Sequence, residues 1–181
     1  ITGTAVTAPL HWEGTVSIDW TSAANWEISE VPGVDANVVI PESSLTFPVL
    51  DSEITLNAML VEEDASFTVG VDGAMSLTDL YNEGTITVES GGVLALMGDR
   101  FGDGTETIER TLTGSASLSI IGIPVAGATI ADFDADYVFE YNNVSQSFTT
   151  PSSGDAVVTG NGYFVGINSG NFDLSVSGTI I

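Results

Sequence analysis

The chain contains neither cysteine nor lysine, and both absences limit what it can do. Without cysteine it has no disulfide, no thiolate ligand for a metal and no thiol nucleophile. Its basic side chains are Arg100, Arg110 and His11, whereas Asp and Glu number 25, so the formal net charge is −23. Nucleic acids and anionic membrane surfaces are bound through Lys and Arg, and we therefore expect neither as a partner.

Residue patterns for catalysis are also scarce. One histidine, His11, is too few for a mechanism that needs paired histidines, and we interpret it as a packing or surface residue. No Gly-x-Ser-x-Gly elbow is present to hold a nucleophilic serine. Two carboxylates at a suitable separation can cleave a glycoside, but among 25 acids such a pair arises by chance. The sequence therefore predicts no enzymatic activity. It also has no apolar run of transmembrane length, so we do not expect membrane insertion.

What the sequence does contain is short runs of alternating apolar residues, clearest between Met59 and Met97. When Leu60–Val69 is moved onto Thr87–Leu96, an offset of 27 residues, Val61 falls on Val88 and the pattern repeats. Alternation of period 2 fits strands and not helices. A repeat of this length built from strands and tight corners predicts a stack of β-rungs, each burying its inner row against its neighbours.

We therefore predict an all-β fold without helices. Residues 1–110 would form a Trp-rich cap and a short β-solenoid, or parallel β-helix. Residues 111–181 would form an antiparallel, sandwich-like lobe; the alternative is that both parts belong to one continuous domain. Gly98–Arg110 is predicted to be a loop and Ala131–Tyr141 a strand. Asn142-Asn143 stands between two apolar runs, which predicts a hairpin.

The order of motifs along the chain resembles secreted cell-surface proteins of the Bacteroidetes, many of which are exported by type IX secretion. This resemblance implies an extracellular β-protein and brings no catalytic residues with it. The segments that carry it are Trp12-x-Gly14, Asp19-Trp20, Asn25-Trp26, Val31-Pro32, Asn37-Val38-Val39-Ile40-Pro41, Phe47-Pro48-Val49-Leu50, residues 122–133 and residues 160–165.

Two groups of acidic residues are candidate calcium sites. Asp132, Asp134 and Asp136 would share one face of a strand, and their mutual repulsion would be relieved by a hard cation with oxygen ligands. Asp99, Asp103 and Glu106 stand in or beside a glycine-rich segment that can bend around one ion. The alternative for both groups is a solvated acidic surface.

Trp12, Trp20 and Trp26 also allow two interpretations. Aromatic rings on an exposed β-face stack on sugars, which would make these residues a glycan-binding site. Alternatively, they close the end of the solenoid, which otherwise exposes its core.

These observations favour an extracellular structural protein, either a subunit of a surface filament or layer or part of an adhesin stalk. The uncharged segments Ile1–Leu10 and Ser175–Ile181 are either covered within the chain or pair with the next subunit, so a homo-oligomer or polymer is expected. Other surface proteins or glycans are possible partners. The alternatives are a carbohydrate-binding surface module and a fragment of a larger secreted polysaccharide-active enzyme.

Overall fold

A computed structural model describes residues 8–113, 118–142, 144–158, 161–168 and 170–180. The protein is all-β, with two short 3₁₀ helices and no α-helix in these ranges. It divides into two compact units, Ile1–Thr105 and Glu106–Ile181. The predicted domain boundary at residue 110 falls inside the same strand, Thr105–Thr113, as this division.

The first unit consists of short strands that return in parallel. They are β1 (Leu10–His11), β2 (Asn37–Ile40), β3 (Val49–Leu50), β4 (Glu53–Val61), β5 (Ser66–Val69), β6 (Ala74–Asn82), β7 (Thr85–Val88), β8 (Val93–Leu96) and β9 (Arg100–Phe101). A 3₁₀ helix, Ala23–Asn25, lies between β1 and β2.

These strands form a β-solenoid of about four turns, which confirms the predicted fold class. One sheet has the order β1-β2-β4-β6-β8, with β9 also on β6. On a second side of the solenoid, β3, β5 and β7 pair in parallel. The predicted 27-residue offset is wrong, because Val61 lies beside Asn82 and Ser66 beside Thr85, which are 21 and 19 positions apart.

The offset failed because alternation of period 2 matches itself wherever two strands face the same way. It says nothing about how many residues the corners take up. The rung length is read from the pairing of β4 with β6, which runs in register from Glu53 opposite Ala74 to Val61 opposite Asn82.

The core of the first unit is a set of inward rows between these sides. In β4 the buried residues Leu56 and Met59 are three positions apart, and Leu77 and Leu80 repeat this spacing in β6. Strict alternation would place them two or four apart, so the strand bends there and turns its next residues inward again. Phe67 and Val69 of β5 and Ile86 and Val88 of β7 are likewise buried.

The second unit is built from antiparallel strands. They are β10 (Thr105–Thr113), β11 (Leu118–Gly122), β12 (Val125–Ala126), β13 (Tyr137–Asn142), β14 (Ser147–Thr149), β15 (Gly162–Gly166) and β16 (Asn171–Ile180). One four-stranded sheet has the order β11-β15-β13-β14, and β16 pairs with β10 and β12. The antiparallel lobe was therefore predicted correctly.

Details of this unit differ from the prediction in two places. Residues 131–136 are not a strand: Ile130–Asp132 is a 3₁₀ helix and β13 begins at Tyr137. The segment 98–110 is not all loop, because it contains β9 and the start of β10. The predicted hairpin is confirmed, since β13 and β14 pair with Asn142 opposite Ser147. Residue 143 lies outside the described residues.

The two uncharged terminal segments have different outcomes. From Ser175 to Gly178 the chain lies against β10, with Val176 opposite Ile108 and fully buried, so this end is covered within its own chain. Leu10 lies in β1 beside Val38. Residues 1–7, and with them most of the predicted N-terminal strand, lie outside the described residues.

Candidate functional site

The three tryptophans form one buried cluster in the first unit. Trp26 meets Trp20 and Trp12 edge to face, with ring centroids 4.7 and 5.1 Å apart. Trp20 continues the contact to Phe67 of β5 at 5.4 Å. The indole Nε1 of Trp12 donates to the Thr46 carbonyl at 2.6 Å, and that of Trp26 donates to the Trp20 carbonyl at 3.0 Å.

Asn25 folds the loop that carries these rings. Its Oδ1 accepts the backbone N–H groups of Val16 and Ser17 at 2.9 and 3.0 Å. Its Nδ2 donates to Ser17 Oγ and to the Asp19 carbonyl, both at 3.0 Å. The side chain is fully buried, and these four bonds replace the water that it loses. This requirement explains the Asn25-Trp26 motif.

Gly14 allows the loop to approach Thr46. Its φ is +63°, and a Cβ at this position would stand 2.2 Å from the Thr46 carbonyl oxygen. That oxygen is the acceptor for Trp12 Nε1. Any side chain at residue 14 would therefore clash with the oxygen and disturb the hydrogen bond that holds Trp12 in place. The Trp12-x-Gly14 motif therefore has a structural origin.

The burial of the tryptophans contradicts the glycan-binding interpretation of Trp12, Trp20 and Trp26. Each side chain is at most 1% exposed, so none offers a ring face on which a sugar could stack. The structure buries the cluster in the core beside Phe67 of β5, and the interpretation that it closes the end of the solenoid stays a prediction.

The prediction that the acidic residues in 132–136 line one face of a strand is wrong. The Asp132 carboxylate closes a capping box, accepting the backbone N–H of Thr129 at 2.7 Å. The Asp136 carboxylate accepts the backbone N–H of Asn168 at 2.6 Å, and Asp134 is exposed. The capping box is a local side-chain-to-backbone interaction that competes with strand pairing, which explains why the strand prediction was wrong here.

The second group is similarly divided. Asp99 and Asp103 are exposed at the corners beside β9, whereas Glu106 is fully buried in β10 and accepts the backbone N–H of Ile180 at 2.9 Å. In the described part of the chain, no three His, Asp or Glu side chains stand close enough together to hold a metal ion. Calcium binding by any of the six residues stays a prediction.

Acidic side chains at the solenoid corners have a structural use instead. Asp79 accepts the backbone N–H of Asp99 at 3.2 Å, and Glu83 accepts that of Asp103 at 3.1 Å. Both bonds join residues 20 positions apart, which is one rung to the next. Glu62 accepts the N–H of Glu42 in the same way, from the preceding rung. Carboxylates thus satisfy corner N–H groups that no strand partner reaches.

Each unit has open clefts at its surface. One of about 480 Å³ lies in the first unit and is lined by His11, Glu13 and Glu27 among others. A cleft of about 340 Å³ in the second unit is lined by Asp134, Asp136 and apolar neighbours. In the described ranges no helix has the length and apolar character needed to cross a membrane.

The most unusual surface of the molecule is one face of the β11-β15-β13-β14 sheet. We call it the aromatic face; it consists of Ile120, Tyr137, Phe139, Tyr141, Phe148 and Phe164. Strand register places Phe164 between Ile120 and Phe139, and Tyr141 opposite Phe148. Phe148 also touches Phe164, with ring centroids 5.0 Å apart.

This face points to solvent, although its residues are apolar. Ile120 is 68% exposed, Phe148 56%, Tyr137 46% and Tyr141 42%. The opposite face holds the core residues Val138, Tyr163 and Val165, which are at most 9% exposed. A sheet with one solvated face normally carries polar residues there, so a contiguous aromatic patch indicates a binding surface.

The aromatic face was not predicted from the sequence, although the sequence contains a signal for it. Tyr137, Phe139 and Tyr141 alternate with Val138 and Glu140, so three aromatic rings share one side of a strand. The pattern does not reveal which side is buried, and apolar residues are assigned to the core by default.

Comparison with known proteins gives a family for the chain. No curated protein and no solved structure matches it. Residues 11–179 match the profile of one family, so the match spans nearly all of the chain, including both units. The chain therefore belongs to the family described as a domain of unknown function (DUF8693).

Proposed function

We propose that this protein is an extracellular structural protein without catalytic activity, acting as a stalk segment of a surface adhesin or as a subunit of a surface filament or layer. The observation that carries the proposal is the rung ladder of the first unit. Strands β4 and β6 hold eight Cα partners in parallel register, with the inward residues of both strands fully buried. Each rung is thus held to the next along its strands, and a stack of such rungs suits a spacer.

The surface charge supports a role outside the cell. A net charge of −23 with no lysine keeps chains soluble and separate in saline surroundings. The resemblance to secreted Bacteroidetes surface proteins is the reason for placing the protein at the cell surface. If chains polymerise, cations must offset their repulsion, and calcium is the proposed bridge.

Cell-surface location is tested by brief protease treatment of intact producing cells, followed by mass spectrometry of the released peptides. We expect peptides of this protein before any peptide of a cytoplasmic marker. If they appear only after lysis, the proposal is wrong.

The form of assembly is tested with purified protein by sedimentation velocity and negative-stain electron microscopy, in calcium and in sodium chloride at equal ionic strength. Fibres or layers that form in calcium support the filament form. If the chain stays monomeric at high concentration, it is not a filament subunit, and the stalk segment is the form of the proposal that stands. Deleting residues 1–9 tests whether the N-terminal segment joins subunits.

A carbohydrate-binding module is the second candidate, and the aromatic face is the observation that favours it.

A further inference from the structure

We propose that the aromatic face of the second unit binds a neutral carbohydrate chain. This inference does not rest on the structural role proposed above, because a stalk with or without a glycan site would have the same solenoid.

The rings form connected rows and not scattered exposed residues. Tyr137 and Phe139 lie two positions apart on β13 with ring planes 4° from parallel and centroids 6.4 Å apart. Tyr141 and Phe148 pair across β13 and β14 at 5.2 Å. A pyranose ring presents C–H groups on its faces, and these carry the partial positive charge that the negative face of an aromatic ring attracts. Two rows of rings therefore offer contacts to successive sugars of one chain.

Two glycines leave the backbone of this face without side chains at two neighbouring positions. Gly122 and Gly162 are register partners at the ends of β11 and β15, beside Ile120 and Phe164. A Cβ at Gly122 would meet nothing closer than 3.9 Å, and one at Gly162 would touch only the Ile120 side chain at 3.3 Å. Neither glycine is needed to avoid a backbone clash. Bare backbone in a paired strand is a common sign that a ligand approaches closely.

Polar groups stand beside the rings, as recognition of sugar hydroxyls requires. The Tyr137 hydroxyl donates to Asn168 Oδ1 at 2.9 Å. Among the described residues the Tyr141 hydroxyl has no hydrogen-bond partner, so it is available to a ligand.

The charge of the chain disfavours an anionic ligand. The face carries no Lys or Arg, and the whole chain has a net charge of −23. An acidic polysaccharide, a nucleic acid or an anionic membrane would be repelled. A second copy of the chain would bring the same charge, and like-charge contacts oppose such pairing. An uncharged polymer with apolar ring faces and hydroxyl groups can stack on the aromatic rings and is not repelled by the negative charge of the chain.

The test is affinity electrophoresis in native gels that contain β-glucan, xylan, galactomannan or starch, with alginate and pectin as acidic counterparts. We expect at least one neutral polysaccharide to retard the wild-type protein and the acidic ones to leave it unaffected. Tyr141→Ala and Phe148→Ala should each weaken that binding about five-fold, and the double variant should abolish the retardation, because one lost ring contact is worth roughly 1 kcal/mol.

The matched control is Tyr81→Ala. Tyr81 is also 42% exposed and stacks on another exposed ring, that of Phe101 at 4.7 Å, but it belongs to the first unit. We expect this variant to bind like the wild type. Ile120→Ser changes the most exposed residue of the aromatic face without touching the core, and it should weaken binding without lowering the thermal unfolding temperature. It serves in place of any ring variant that fails to fold.

Several results would overturn the proposal. No retardation by any neutral polysaccharide, together with silence on a broad glycan array, removes the site. Equal loss of binding in Tyr81→Ala and Tyr141→Ala places it elsewhere. Retardation by alginate or pectin alone contradicts the charge argument. Self-association that Tyr141→Ala abolishes would assign the face to a second copy of the chain.

Discussion

The largest aromatic cluster of the first unit is buried, whereas that of the second unit lies at its surface. In the first unit Trp12, Trp20 and Trp26 point inward, touch one another and are at most 1% exposed. In the second unit Tyr137, Tyr141 and Phe148 point outward and are 42–56% exposed.

The difference follows from how each unit fills its core. The solenoid has aliphatic inward rows of limited width, and the irregular loop 12–26 needs large rings to fill the space beside its first strands. The four-stranded sheet needs only one filled face, which Val138, Tyr163 and Val165 supply. Its other face is free of packing duty, so aromatic residues there point to binding.

The largest expected effect tests the inward cluster against the outward one. Trp26→Ala removes contacts to both other indoles and should lower the free energy of unfolding of the first unit by about 3–5 kcal/mol. Tyr141→Ala should lower that of the second unit by about 1 kcal/mol at most, because its side chain is 42% exposed and its ring contacts the exposed Phe148. Urea unfolding followed by tryptophan fluorescence and by circular dichroism measures the two. Similar losses of unfolding free energy in the two variants would contradict the assignment of one cluster to the core and the other to the surface.

The next effect concerns the polar centre of the tryptophan loop. Asn25→Ala leaves the N–H groups of Val16 and Ser17 without their acceptor and should destabilise the first unit by about 2–3 kcal/mol. Ser17→Ala is the control: it removes one hydroxyl partner of the same amide and should cost at most about 1 kcal/mol. Urea unfolding by tryptophan fluorescence reports both. If Ser17→Ala costs as much as Asn25→Ala, the amide is not the organising group.

A matched pair of glycines separates collision from backbone strain. Gly14 and Gly127 both have positive φ, +63° and +94°, but only Gly14 has a backbone oxygen in the path of a Cβ. We expect Gly127→Ala to cost about 1 kcal/mol from strain alone and Gly14→Ala about 2–3 kcal/mol. Thermal unfolding measures the order. Equal destabilisation by the two substitutions would show that the Thr46 carbonyl moves away from the new Cβ at little energetic cost.

The smallest expected effect is that of salt. Sodium chloride should raise the unfolding temperature by a few degrees at most, because screening reduces repulsion among the acidic groups. The calcium prediction expects a further rise at equal ionic strength, lost in Asp134→Asn for the second unit or in Asp103→Asn for the first. If calcium gives no more than sodium, neither acidic group is a calcium site.

Much of the fold was predictable because it depends on local periodicity. Alternation in 54–96 and after Leu112 predicted strands, and the Asn142-Asn143 pair predicted the hairpin between β13 and β14. Residues 130–136 were predicted wrongly, because the capping box of Thr129 and Asp132 outweighs a strand pattern that the apolar residues alone suggest.

The sequence by itself determined the class of the protein: all-β, acidic, with inward rows set by period 2, because these depend on residue type and spacing along the chain. Only the tertiary structure decided the rung length and the faces. Corner geometry places Val61 beside Asn82 and not beside Val88, and packing buries the tryptophans while it leaves Tyr141 and Phe148 in solvent. A period-2 pattern of residues indicates that the two faces of a strand differ. Which face is buried depends on the elements that pack against it.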